Sequence, residues 1–387
     1  MANAYVEVDQ IANEALIHLE DALIISNLTA RDKTSDFNTT PSGYKVGDTV
    51  RIKTRPDYVA TEFDPVNGVT VQSVRSSARD MTIEKLLDVS VEITAKEKAL
   101  DFEGFTNEVV IPATYRLAEK CDNYVGTKIL EAAGLYASTD LFTDAADMAL
   151  ARSAANLQQL SPTGRFCLVN DTLEARLLGK TYFNTYNNRG DSGRVVFDEA
   201  RMGHAMNMDF YQSMNFPSWS LAAAGTGTAT TDNAAGTKNL VGNTDLTVDS
   251  ANFSVNTFPA GTRIKIAGVR RPLIVKTLVN GNPATVIPLV DPITEIIPDN
   301  AAVTIIASGQ TNLSLLGAIF DDESLALAMP MLDTPSDKPS FTVSNNGYSI
   351  RVTTGYDMKY KKEMMSLDLL IGAKAYDNRR ITLLAEY

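Results

Sequence analysis

The residues from Pro217 to Gln310 carry almost no helical signal, while the chain on either side of them does. Within that stretch, short alternating runs recur at Thr262–Ala267, Leu273–Leu278, Thr285–Leu289 and Ala302–Ala307, separated by Gly, Asn-Pro and Asp-Pro turns. Alternation with a period of two is what a half-buried strand requires, and short strands at this spacing build a small barrel or sandwich. The clearest is "FPAGTRIKIAGVRR" (258–271), a strand between Gly261 and Gly268 with Arg270 and Arg271 behind it. Those two arginines read as surface or domain-contact residues. "GTGTAT" from Gly225 reads as a flexible loop, since it lacks the lysine and third glycine of a phosphate-binding loop. Such a block constrains the whole chain. It must be an inserted unit whose two ends lie close together in space.

The flanks supply the host. Val8, Ile11, Ala15, Leu19, Ala22 and Leu23 fall at helical spacing, so a helix is expected over 8–23. Glu7, Asp9, Glu14, Glu20 and Asp21 lie on or beside its other face and make it acidic. Val46, Val50 and Ile52 then alternate within 43–55, as do Val89, Val91 and Ile93 within 81–94. The charged segment between them is poor in core residues. The pair reads as a long two-stranded arm, and a lone hairpin is marginal without another surface to rest on. A helix is expected over 111–135, with Pro112 in its first turn and Gly134 closing it. "GRFCLVNDTLEARLLGK" reads as a strand (166–169) feeding a helix, with Asp171 as N-cap, Glu174 completing a capping box and Gly179 as the stop. Beyond the insert, Asp321 or Asp322 is expected to cap a helix over "ESLALAMPML". Asn346-Gly347 should turn a hairpin, and 365–371 and 381–384 should close the chain as strands.

Composition removes several classes of function. At 387 residues the chain exceeds one ordinary core, so two or more domains are expected. No run approaches the roughly 18 uninterrupted apolar residues of a membrane span. The opening "MANAYVEVDQ" has acidic residues where an export signal has basic ones, so export is not expected. A formal charge of -12 opposes a sequence-independent grip on DNA, which needs a basic surface. Cys121 and Cys167 are too few for a disulfide framework or a zinc site and read as buried thiols. His18 and His204 stand without a motif, and no Gly-x-Ser-x-Gly nucleophile context occurs. Asp321-Asp322-Glu323 reads as the acidic first turn of a helix rather than a cation site. No catalytic, cofactor-binding or metal-binding residue is assigned, and an enzyme is not expected.

Four stretches go together: "VDQIANEALIHLEDAL", "YRLAEKCDNYVGTKIL", "PAGTRIKIAGV" and "TTGYDMKYKKEMMSLDLLIGAKAYDNRRITLL". In that order they resemble the N-terminal helix, spine helix, insertion domain and closing strands of tailed-bacteriophage major capsid proteins. These have the Hong Kong ninety-seven type fold, here in its phage P-twenty-two-like branch. The resemblance implies an α+β fold laid out as an N-terminal arm (1–44), an E-loop hairpin (45–100), and a spine helix with the peripheral domain (101–140). The first part of an axial domain (141–216), an inserted β-barrel (217–310) and return strands to the axial and peripheral domains (311–387) would follow.

The function so implied is that of a coat protein. It would assemble with copies of itself, as hexamers and pentamers, into an icosahedral shell through a scaffold-assisted procapsid. The implied partners are a scaffolding protein and a portal protein, with room for a decoration protein. The shell would enclose double-stranded DNA without binding it specifically, and neither membrane nor cofactor is implied. The implied location is the virion, after assembly in the host bacterial cytoplasm. On the residues, the mixed charges of the hairpin (Arg55, Asp57, Glu62, Asp64, Arg75 and Arg79) suit salt bridges to a neighbouring subunit. The acids of the first helix (Glu7, Asp9, Glu14, Glu20 and Asp21) suit a basic segment of the scaffold. The competing reading is a phage tail or surface protein whose β-domain recognises a receptor.

Overall fold

The computed structural model describes residues 8–32, 34, 49–53, 60, 63, 65, 68, 78–94, 106–139, 145–184, 202–217, 220–221, 227–233, 236, 238–253, 259–279, 284–307, 313–335, 339–358 and 362–387. Helix α1 (Val8–Ala22) buries Ile11, Ala12, Ala15, Leu16 and Leu19 along one face. Strands β1 (Thr49–Lys53) and β2 (Ala78–Thr82) form a two-stranded antiparallel ladder from Thr49↔Thr82 to Lys53↔Ala78. The return strand then breaks at Ile83 and Glu84, and β3 (Lys85–Thr94) leaves the arm. This differs from the single return strand expected over 81–94. Burial is the reason, because Leu87, Val89 and Val91 pack against the main core, which a projecting arm does not offer.

Helix α2 (Ile111–Ile129) follows one π turn at Thr106–Val110 and carries Pro112 in its first turn. It ends before Gly134, which was expected to close it. Gly134 instead opens β4 (Gly134–Ser138), where a Cβ would fall 1.8 Å from the Gln158 side-chain nitrogen. Helix α3 (Ala145–Leu157) and strand β5 (Arg165–Val169) come next. Helix α4 (Asp171–Leu178) is capped by Asn170, whose side chain accepts from the Leu173 N–H, one residue before the expected Asp171. Asp171 and Glu174 occupy the first turn instead, where the helix dipole favours them. Helix α5 (Thr181–Asn184) and strands β6 (His204–Ala205), β7 (Met208–Gln212) and β8 (Ser220–Leu221) complete this part.

The β-rich block contains β9 (Gly227–Thr231), β10 (Asp245–Phe253), β11 (Arg263–Ile266), β12 (Leu273–Ile274), β13 (Ala284–Pro288) and β14 (Ala302–Ile305). Their order is β12-β11-β14-β9-β10-β13, with every pairing antiparallel. An antiparallel bridge between Val275 and Leu289 joins the two outer strands, so the sheet closes into a barrel. Strand β9 contains most of the "GTGTAT" expected as a loop. A Thr/Ala/Gly run carries little apolar signal, yet Ala229 and Thr231 are buried in the barrel wall. Leu246, Val248, Ile264, Ile266, Ile287 and Val303 belong to a hydrophobic cluster of the barrel's own.

The chain re-enters its host sheet where it left. Leu221 of β8 pairs with Leu313 of β15 (Leu313–Asp321). Next comes β16 (Leu325–Ala328), a strand where a helix was expected. Leu325 and Leu327 enter the main core, while Ala326 and Ala328 pack with Ile52 and Met81 of the arm. A short run buried on both faces looks the same to periodicity in helix and strand. Strands β17 (Ser340–Asn345) and β18 (Tyr348–Asp357) form the expected hairpin, with Asn346 and Gly347 at φ 50° and 83°. Strands β19 (Lys362–Ala375) and β20 (Thr382–Glu386) end the chain.

Two sheets share the main core. One runs β4-β20-β15-β5-β7-β6 with β8 beside β15, and the other runs β16-β19-β18-β17 with β3 paired along β19. Helix α1 lies on β17 and β18, and α2 lies on β19 and β3. The fold is thus mixed, strand-rich and short of helices. Among the described residues no helix is long and apolar enough to cross a membrane.

Candidate assembly surfaces and the barrel junction

Side chains with chemical potential are mostly spent on structure. Cys121 and Cys167 are buried free thiols, and burial pushes both well above the usual cysteine range. His204 Nδ1 lies 2.7 Å from Asp209 Oδ1 on an exposed edge hairpin. Asp321-Asp322-Glu323 starts no helix; it is the turn between β15 and β16. There Asp321 accepts from Ser324 and pairs with Arg380, which also reaches Glu323 at 2.8 Å. On the barrel, Asp232, Asp249 and Asp299 bring carboxylate oxygens within 4.8 Å of one another. Lys238 pairs with Asp232, and the Asn233 N–H donates to Asp299 at 2.7 Å, so protein groups already meet two of the three.

The acidic helix is anchored from below and open above. Asp122, buried on α2, accepts from the N–H groups of Ile24 (2.9 Å), Ile25 (3.2 Å) and Ser26 (3.0 Å) and from Ser26 Oγ (2.8 Å). Burial pushes the Asp122 carboxyl up, and these four donors oppose that. On the outer side of α1, Glu14, Ile17 and Asp21 are exposed, followed by Ile24 just beyond the helix. Their spacing of three and four residues makes one stripe. Glu20 turns to the neighbouring hairpin and accepts from Asn346 at 2.6 Å, while Asp9 is half-buried at the start of the helix. Glu7 lies outside the described residues.

Of the hairpin charges, Arg55, Asp57, Glu62, Asp64 and Arg75 lie outside the described residues. Arg79 is placed, and its partner is in its own chain: the guanidinium pairs with Asp291 of the barrel. Arg79, expected to reach a neighbouring subunit, thus has a partner within its own chain as well. The base of the arm is braced in other ways. Glu84 accepts from Lys128 Nζ at 2.9 Å and from the Tyr124 hydroxyl at 2.8 Å, both on α2. Burial works against the Glu84 charge, but those two bonds outweigh it and hold the carboxyl below the usual glutamate range. Gly372 of β19 admits the arm, since a Cβ there would lie 2.5 Å from the Thr82 carbonyl oxygen.

The barrel is fastened by arginines whose importance the sequence does not announce. Arg263, 2% exposed, donates to the carbonyls of Leu130 and Ala132 just past the end of α2, and to Gly261. These are orphan carbonyls of a helix terminus, the groups that a cation serves best. Burial lowers the Arg263 pKa to about 10. Arg271 donates to Gln159 Oε1 at 2.8 Å, so it is the domain-contact residue that its position suggested, while Arg270 is exposed. Asp291 also accepts from Asn378 at 3.3 Å, next to an Asp377–Arg379 pair at 2.6 Å. A buried "RIKI" arginine is hidden from pattern reading, because alternation assigns outward positions to charge. Here Arg263 and Ile264 are both buried.

No family model and no curated protein matches the sequence. Solved structures do match. The chain is similar to one in the structure of Mycobacterium phage Che8, at 10% identity and a TM-score of 0.50, over 94% of this chain and 90% of that one. It is also similar to a chain in a capsid structure of the cyanophage P-SCSP1u, at 12% identity and a TM-score of 0.48, over 88% and 84% of the two chains. At 10% identity the likeness to the mycobacteriophage chain is one of fold. That fold is the Hong Kong ninety-seven type of tailed-phage capsid proteins.

Proposed function

We propose that this chain is a tailed-phage major capsid protein, which associates with copies of itself into the icosahedral shell enclosing the genome. The fold likeness carries this reading, because it runs through 94% of the chain rather than through one module. Two physical features support it. Among the described residues the β1–β2 ladder is two-stranded and rests on Ala326 and Ala328 of its own chain, and such a hairpin gains stability from a further surface, for which an adjacent copy serves. A net charge of -12 suits a wall that confines DNA without binding it.

The finer proposal follows from the same features. Copies gather as hexamers and pentamers around a scaffolding protein, with a portal protein at one vertex, and the product is a procapsid in the host cytoplasm. The proposed layout is an arm (1–44), hairpin (45–100), spine helix and peripheral part (101–140), axial part (141–216), barrel (217–310) and return strands (311–387). Glu14 and Asp21, flanking Ile17, form an acidic and apolar stripe that fits a basic amphipathic segment of the scaffold. Arg55, Asp57, Glu62, Asp64 and Arg75 remain the proposed contacts of the hairpin with a neighbouring copy. The test is assembly by sedimentation, with the full chain coexpressed with its scaffolding protein. Wild type should sediment as large particles. Glu14→Lys with Asp21→Lys should lose scaffold incorporation, and Arg75→Glu should yield shells that fall apart more readily. Unchanged incorporation and unchanged shell stability would each remove the corresponding contact.

A further inference from the structure

Among the described residues, the barrel makes side-chain contacts with several other parts of the molecule, and the contacts differ in kind. Toward α2 it offers Arg263, buried and bonded to the neutral carbonyls of Leu130 and Ala132. Toward the loop after α3 it offers Arg271, bonded to Gln159. Toward the arm it offers Asp291, which pairs with Arg79 of β2, the two side chains being 16% and 19% exposed. Asp291 is also held by the Asn378 side chain, and the Asn378 carbonyl accepts from the Ala133 N–H at 2.8 Å. The segment that steadies Asp291 is therefore tied to the same end of α2 that Arg263 caps. Charges of Asp377 and Arg379 stand beside it. All of these groups belong to one chain.

We propose that the barrel is a strut that sets the direction of the arm hairpin relative to the spine helix, with Arg79–Asp291 as its latch. Removing that pair leaves the Arg263 and Arg271 contacts intact, so the barrel stays seated while the arm, still packed on β16 through Ile52 and Met81, loses the contact that fixes its direction. A partly buried, hydrogen-bonded ion pair suits this role because its geometry is specific. It fixes one arrangement even where its net contribution to stability is small. The inserted domain thereby positions the part of the molecule proposed to reach a neighbour. The latch itself is intramolecular and stands whether or not the chain forms shells.

Hydrogen exchange read by mass spectrometry on the unassembled full chain tests this. In Arg79→Gln and in Asp291→Asn, amides of the β1–β2 ladder should exchange about tenfold faster than in wild type, the scale of losing one charge-assisted hydrogen bond. Peptides covering β11, β14 and α2 should exchange as before, and the swapped variant Arg79→Asp with Asp291→Arg should recover part of the ladder protection. Arg79 lies outside the barrel, so Arg79→Gln decides the matter if Asp291→Asn loosens the barrel itself. Unchanged ladder exchange in Arg79→Gln, or an equal rise in the barrel strands of that variant, would overturn the proposal.

Discussion

Arg263 shows how one side chain can be worth more than its pattern suggests. It closes the carbonyl end of α2 and seats the barrel in the same act. Arg263→Met should cost about 2 kcal/mol or more, because buried carbonyls lose their donors. Lysine should restore little, since a single ammonium cannot span the separated carbonyls that the planar fork reaches. Chemical denaturation of the full chain measures both. Glu84 makes a smaller contribution, at most about 1 kcal/mol, because it is partly exposed. Its folded pKa lies below the ordinary 4.5, so that contribution is complete above pH 4.5 and fades as pH falls through the depressed value. Glu84→Gln should therefore be less stable than wild type at neutral pH, and the difference should vanish in acid. A difference that persisted at pH 3 would show that the pair is not its source.

At the scale of elements, the barrel is the clearest case of structure legible from sequence. Its four expected strands all exist, though Leu273–Leu278 shortens to Leu273–Ile274. The two strands that the pattern missed, β9 and β10, come from a Thr/Ala/Asn-rich segment, in which β9 buries Ala229 and Thr231 and β10 buries Leu246 and Val248. The barrel has a separate hydrophobic cluster and strands joined by neighbours in the same block. Residues 217–310 expressed alone should unfold in one cooperative transition with native-like β circular dichroism, and a disordered fragment would contradict this. Other elements were illegible for physical reasons. Leu325–Ala328 is apolar at every position, so its sequence cannot say helix or strand. The break at Ile83 and Glu84 depends on where β19 runs, a fact nearly three hundred residues away. Gly134 looks like a helix stop until Gln158 is seen filling its missing Cβ.

For the molecule as a whole, the order of elements was readable and the junctions were not. The acidic face of α1 lies where helical spacing puts it, whereas the partner of Arg79 could only come from the folded chain. The architecture that results has a braced body, an arm of two strands that leaves it, and a barrel that holds both. Many polar side chains among the described residues join elements to one another, which fits the proposed shell-forming role. Cryo-electron microscopy of the full chain, expressed alone and with its scaffolding protein, tests that conclusion most directly. Closed icosahedral shells are predicted, with the β1–β2 hairpin of each subunit lying over the adjacent copy. Monomers or small discrete oligomers under both conditions, with no closed particles, would contradict it.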